Sequence, residues 1–308
     1  MPLQLQNYSD SSNTAQRGRS SCLLTTVIVI LFLAALTITM AAEFFYISDG
    51  VIYNGYFGHK AIGGIYNQQT TTKFREGTTE INSSFCGYTS FLETVILPDS
   101  LKIIGDNVFS GKDDIKSIVI PDGVTSIGRK AFEGCENLTS VKLSRQLTAI
   151  PDWCFSACEN LASIAIPDSV THIGSGAFSK CSSLKSLVIP DKVTYIGTDA
   201  FNECTGLKTI VMPDSVNTIS SFTFADCSNL SQITLSNRIT VIKRYTFYAC
   251  TSLRHIDIPD SVSVINADAF KDCANLKTVS VSAKTRIEQK AFPPHTKIIK
   301  RPSSQPKH

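Results

Sequence analysis

The chain has 308 residues, of which 43% are hydrophobic and 18% charged, with a formal net charge of +3. This composition argues against a wholly disordered chain, and the near-neutral balance gives no electrostatic footprint for nucleic acid, which is not expected as a partner. The length allows about two domains at roughly 150 residues each, and the ten cysteines stay open between disulfides, ligands, nucleophiles and core until their spacing is read.

Residues 1–21, rich in Ser, Asn and Gln, read as a disordered cytosolic tail. Residues 22–42, CLLTTVIVILFLAALTITMAA, carry no charge over a length that lets a helix cross a bilayer. A cleaved signal peptide has a shorter apolar core, although Thr39 and Ala41 offer small residues for a cleavage site. The longer run and the polar segment ahead of it favour an uncleaved signal anchor. Arg17 and Arg19 precede the run and Glu43 and Asp49 follow it, so the positive-inside rule makes the chain single-pass, type II, with everything after it outside the cytosol. Cleavage would make the protein secreted instead. Residues 43–80 contain YISDGVIYNGYFG, whose Asp49-Gly50 is a hairpin turn signal, and read as a small β cap.

Residues 81–292 repeat. Phe109, Phe132, Phe155, Phe178, Phe201, Phe224, Phe247 and Phe270 stand 23 residues apart. Cys135, Cys158, Cys181, Cys204, Cys227, Cys250 and Cys273 follow seven of them at a distance of three, and a leucine follows each cysteine at three more. One unit reads A-F-x-x-C-x-x-L-x-x-I-x-I-P-D-x-V-x-x-I-G. Its alternating apolar pair is a short half-buried strand, repeated in register at Val95, Ile118, Val141, Ile164, Leu187, Ile210, Ile233, Ile256 and Val279. Proline, or Ser144 and Ser236 in its place, ends the strand. The spacing by threes and fours in the rest of the unit suits one irregular helical turn. A lone coil cannot bury Phe, Cys, Leu and the strand pair, whereas about nine stacked coils bury them in one column. The expectation is an α/β repeat solenoid with a parallel sheet on one face, short helical turns on the other, and one N-terminal transmembrane helix. Residues 293–308 should cap it, with Ile298 and Ile299 in a last strand and Lys300, Arg301 and Lys307 in a solvated basic tail.

The phrase IPDSVTHIGSGAFSKCSSLKSLVIPD, residues 166–191, resembles the leucine-rich repeat of the BspA-like surface proteins, and the resemblance covers about residues 81–292. It implies cell-surface display and adhesion to host matrix proteins or other cells, and brings no catalytic residues. The N-terminal apolar segment departs from that pattern, as does the first unit, where Phe85 sits one residue early and Thr89 takes the cysteine position.

Stacked ladder cysteines point the same way, so buried thiols acting as small hydrophobes are favoured over bridges, and Cys154 reads as a packed small residue. No C-x-x-C pair supports a metal site, and the motifs of zincins, α/β-hydrolases, P-loops and dinucleotide-binding folds are absent, as is the Asp-x-Asp of many type II glycosyltransferases. No cofactor is expected. His172 reads as an ordinary surface histidine in a turn. Asn82, Asn137 and Asn229 begin sequons.

Binding is expected on the open strand face. One outward row runs Ser117, Ser140, Ser163, Ser186, Thr209, Gln232, His255, Thr278, and the other Val119, Lys142, Ala165, Val188, Val211, Thr234, Asp257, Ser280. Beside them Lys116, Lys185, Lys208, Arg254 and Lys277 form a broken basic edge, which either keeps the edge soluble or steers acidic glycans or proteins. The partner is then an extracellular protein or glycan. Alternatives are a secretory-pathway enzyme, which needs a polar cluster breaking the repeat, and a self-associating structural coat protein.

Overall fold

The computed structural model describes residues 45–48, 51–54, 60–64, 70–82 and 91–302. The expected membrane segment 22–42, Phe85, Thr89 and Lys307 lie outside the described residues.

Most coils carry two short strands, which where they pair run parallel to their equivalents in the next coil. On the open face Ser186–Val188 pairs with Thr209–Val211, which pairs with Gln232–Thr234. On the second side His172–Ile173 pairs with Ala149–Ile150 and with Tyr195–Ile196. The V-x-x-I spacing that suggested a helical turn leads into this second strand. No α-helix occurs among the described residues. The reason lies around the ladder phenylalanine, where the residues two before and two after it adopt the left-handed conformation, such as Asp199 and Glu203, both at φ 56°. A right-handed helix cannot run through such residues. The expected α/β class is therefore corrected to a β-solenoid closed by turns.

The open-face sheet is also less continuous than nine strands in register. No strand forms at Ile164, and Gln232–Thr234 is not paired with His255–Asp257. Side-chain burial holds the coil where ladder bonds do not, since Ile164 and Ile166 remain buried while Ser163 and Ala165 point outward.

The core is a column of ladders. Phe109 to Phe270 stack ring on ring, with the Phe178–Phe201 planes 2° apart and the centroids 5.6 Å apart. Phe292 closes the stack at 4.8 Å from Phe270. Every ladder cysteine is buried, and its Sγ donates to the carbonyl of the phenylalanine 26 residues earlier, as Cys204 does to Phe178 at 3.0 Å. Sulfur thus adds a second, inter-coil hydrogen bond to a buried carbonyl that already accepts a backbone N–H within its own coil, as Phe178 accepts from Cys181 at 3.1 Å.

At the N-terminal end Phe45–Ser48 and Val51–Asn54 are antiparallel, with Ser48 opposite Val51 across Asp49-Gly50. Lys60–Gly64 joins this pair to Glu80–Ile81 of the second side. The open-face ladder itself begins at Thr71–Lys73, paired with Thr94–Ile96. At the other end Lys297–Arg301 pairs with Thr278–Ser282. Arg301 is not a solvated tail residue. Its guanidinium donates to the Ile258 carbonyl, to Asp260 Oδ1 at 2.8 Å and to Ser280 Oγ at 3.1 Å, because the strand carries it back over two earlier coils.

Candidate binding face

Strand alternation decides what the open face shows. The buried residues Leu187 and Ile210 anchor their strands, so the side chains on either side of each must point to solvent. Ser186, Thr209, Gln232 and His255 are exposed in one row, and Val188, Val211, Thr234 and Asp257 in the other. Val188 is 82% exposed and Val211 63%, unusual for large apolar side chains, and Val119 and Ile96 continue their row. The rows end where Arg301 covers Ser280, which is buried.

The two edges differ in charge. Lys116, Lys185, Lys208, Arg254 and Lys277 are exposed along one side. Along the other, at the Pro-Asp corner, Asp99, Asp122, Asp168, Asp191, Asp214 and Asp260 are exposed. Sequence reasoning missed this acidic edge, taking only the proline of Pro-Asp into account as the end of the strand, although the aspartate's constant offset from the strand is visible.

Near the C-terminal end the face turns polar. His255 Nδ1 lies 2.7 Å from Thr278 Oγ1, and its Nε2 lies 3.3 Å from Asp257 Oδ1. Beside them a groove of about 430 Å³ is lined by Thr234, Asn237, Asp257, Asp260 and Arg301, at the interruption between two strands. Asp257 and Asp260 both lie near the Arg301 guanidinium, at 3.8 and 2.8 Å.

The other candidates separate from this face. The ladder thiols from Cys158 to Cys250, and Cys154, are pushed upward by burial, Cys204 to about 12, so they are poor nucleophiles near neutral pH. His172 lies in a second-side strand, not in a turn, with its ring 6.1 Å from Tyr195. Asn137 and Asn229 are exposed, each followed by a buried leucine, while Asn82 is half-buried. The Asn229 amide already donates to the Thr205 carbonyl at 2.6 Å, a bond that glycan attachment would disturb. Among the described residues no three His, Cys, Asp or Glu side chains gather as a metal-binding group.

A second cluster had no signal in the repeat pattern. Phe222 stacks on Tyr245 at 4.8 Å, Tyr245 meets Tyr248 edge-on, and Arg244 covers Tyr245 while bonding Asp268 at 2.7 Å. Phe222 and Tyr245 are both left-handed, at φ 58°. That conformation costs a bulky residue roughly 1–2 kcal/mol, which their mutual stacking offsets.

The coils, their ladders and their outward rows are those of a leucine-rich repeat solenoid. Residues 78–191 and 171–299 match the family model for the BspA type leucine rich repeat region, in six copies, and the chain belongs to that family. A leucine rich repeat protein of T. pallidum, TpLRR, is 24% identical over 68% of this chain and 87% of its own, with a TM-score of 0.50, and shares the fold. A leucine rich cell surface protein of Faecalibacterium prausnitzii A2-165 is also 24% identical, over 86% of this chain and 96% of that one, at a TM-score of 0.46. The pneumococcal vaccine antigen PcpA is 18% identical over 84% and 94%, at 0.44. No curated protein matches the chain.

Proposed function

We propose that this is a non-catalytic, surface-displayed binding protein, anchored through residues 22–42, whose open strand face holds an extracellular macromolecule and so mediates adhesion. One observation carries the reading. Val188 and Val211 stand almost bare in the middle of a regular sheet face flanked by charged edges, where a merely solvated repeat would place polar residues. The small side chains of the Ser and Thr row let a partner backbone approach closely. The surface location in the name of the Faecalibacterium protein is in keeping with display.

The test uses the full chain expressed on cells. A membrane-impermeant label should reach the solenoid on intact cells, and V188E/V211E should lower binding to matrix proteins, glycans or neighbouring cells at least tenfold with unchanged display. Absence of labelling, or unchanged binding by the variant, would refute the proposal.

A further inference from the structure

The open face has a symmetry that a single chain does not use. The row two residues before each buried strand centre holds Lys116, Lys185, Lys208 and Arg254, and the row four residues after it holds Asp122, Asp191, Asp214 and Asp260, all exposed. The row midway between them contains Val119, Val188 and Val211. A half-turn about a line along this middle row, parallel to the solenoid axis, exchanges the basic and acidic edges. Lys185 of one copy then faces Asp191 of the other, Lys208 faces Asp214, Lys116 faces Asp122, and Val188 and Val211 each meet their own counterparts. A half-turn about an axis across the coils would set like charge on like charge.

From this geometry we infer that the occupant of the open face is a second copy of this chain, in a two-fold pair with parallel solenoids. The inference rests on the proposed role of the open face as the binding surface, and names its partner. Such an interface is isologous and closes on itself, so it yields dimers and not fibres. Nine coils at about 4.8 Å each, and a face about 15–20 Å wide, would bury roughly 650–850 Å² on each copy, which reaches the size of stable interfaces. Both chains would enter from the same end, as two chains in one membrane must.

Three contacts oppose the pairing. Lys142 meets its own counterpart, and Glu93 faces Asp99. Asp257 also meets its counterpart, but Arg301 lies 3.8 Å from its carboxylate. K142A should therefore tighten the pair.

The experiment measures the mass of the full chain in detergent micelles. Wild type should be dimeric. K185E/K208E should be monomeric at concentrations tenfold above those that dimerise wild type, and so should D191K/D214K. Mixing the two variants should restore a dimer. Asp214 also accepts the Asn237 backbone N–H at 2.9 Å, so the K185E and D191K pair repeats the test with that contact intact. V188C should give an oxidised dimer beyond any that Cys22 and Cys86 give in wild type. A monomeric wild type, or failure of the mixed variants to pair, overturns the inference. If V188E/V211E nevertheless loses cell binding, the proposed function stands without it. If pairing is seen without binding to any other molecule or cell, the inference stands and the adhesive role falls.

Discussion

Replacing Cys204 separates two roles that a buried thiol can play. Its Sγ is fully buried and lies 3.0 Å from the Phe178 carbonyl, which belongs to the preceding coil. As a small hydrophobe alone, sulfur contributes about 1 kcal/mol through burial, and alanine would forfeit little more. As a donor, it also makes a hydrogen bond across the coils, whose loss costs about 0.5–1.5 kcal/mol because the Phe178 carbonyl keeps the Cys181 N–H. Cys204→Ala should then cost about 1.5–2.5 kcal/mol, by the sum of these contributions. Cys204→Ser keeps an O–H that can reach Phe178, and should cost about half as much. Urea unfolding followed by far-UV circular dichroism, at fixed pH and with the m-value checked, measures both variants. A Cys204→Ala cost equal to or below that of Cys204→Ser would refute the donor role and leave the ladder as simple packing.

Other consequences follow from the same coils. Phe201→Ala removes a ring stacked on both sides, at 5.6 and 5.4 Å, and should cost about 3–5 kcal/mol in urea unfolding, clearly more than Phe292→Ala at the half-buried end of the stack. The ladder thiols from Cys158 to Cys250 should resist a soluble disulfide reagent at pH 8 until the chain unfolds, as burial raises them above the normal thiol range; rapid labelling of Cys204 in the folded protein would contradict this. Burial and the neighbouring Glu203 raise the Asp226 carboxyl. The folded state therefore holds that proton more tightly than the unfolded state, and this group's contribution to stability grows as pH falls from its raised value toward 3.8. Asp226→Asn should raise Tm at pH 7 and flatten that part of the pH profile, because Asn tolerates the left-handed backbone, at φ 57°, while losing the charge. Arg301→Ala should release Lys297–Arg301, seen as faster amide exchange there and at Ser280 but not at Thr209.

The outward rows and the buried column were legible because period-two alternation inside a 23-residue period leaves only one assignment of faces. The second strand was not, since Val170 and Ile173 at a spacing of three fit a helical turn as well as a bend into a short strand. What decides between them is the pair of left-handed residues in each coil. These are mostly not glycine, as at Trp153, Phe222 and Tyr245, so composition gives no warning. The cysteine's donor role and the reach of Arg301 join residues 26 and 41–43 apart, and exist only once coils are stacked. The acidic edge had a visible period, but a corner aspartate has meaning for binding only when the basic row is known to share its face.

The open face as the binding surface is most directly tested by hydroxyl-radical footprinting of the displayed full chain, with and without its partner. Val188 and Val211 should lose at least most of their oxidation on binding, while His172 and Tyr195 on the second side stay as reactive as before. Protection of His172 and Tyr195, with Val188 and Val211 unchanged, would place binding on the second side of the solenoid and contradict an open-face site.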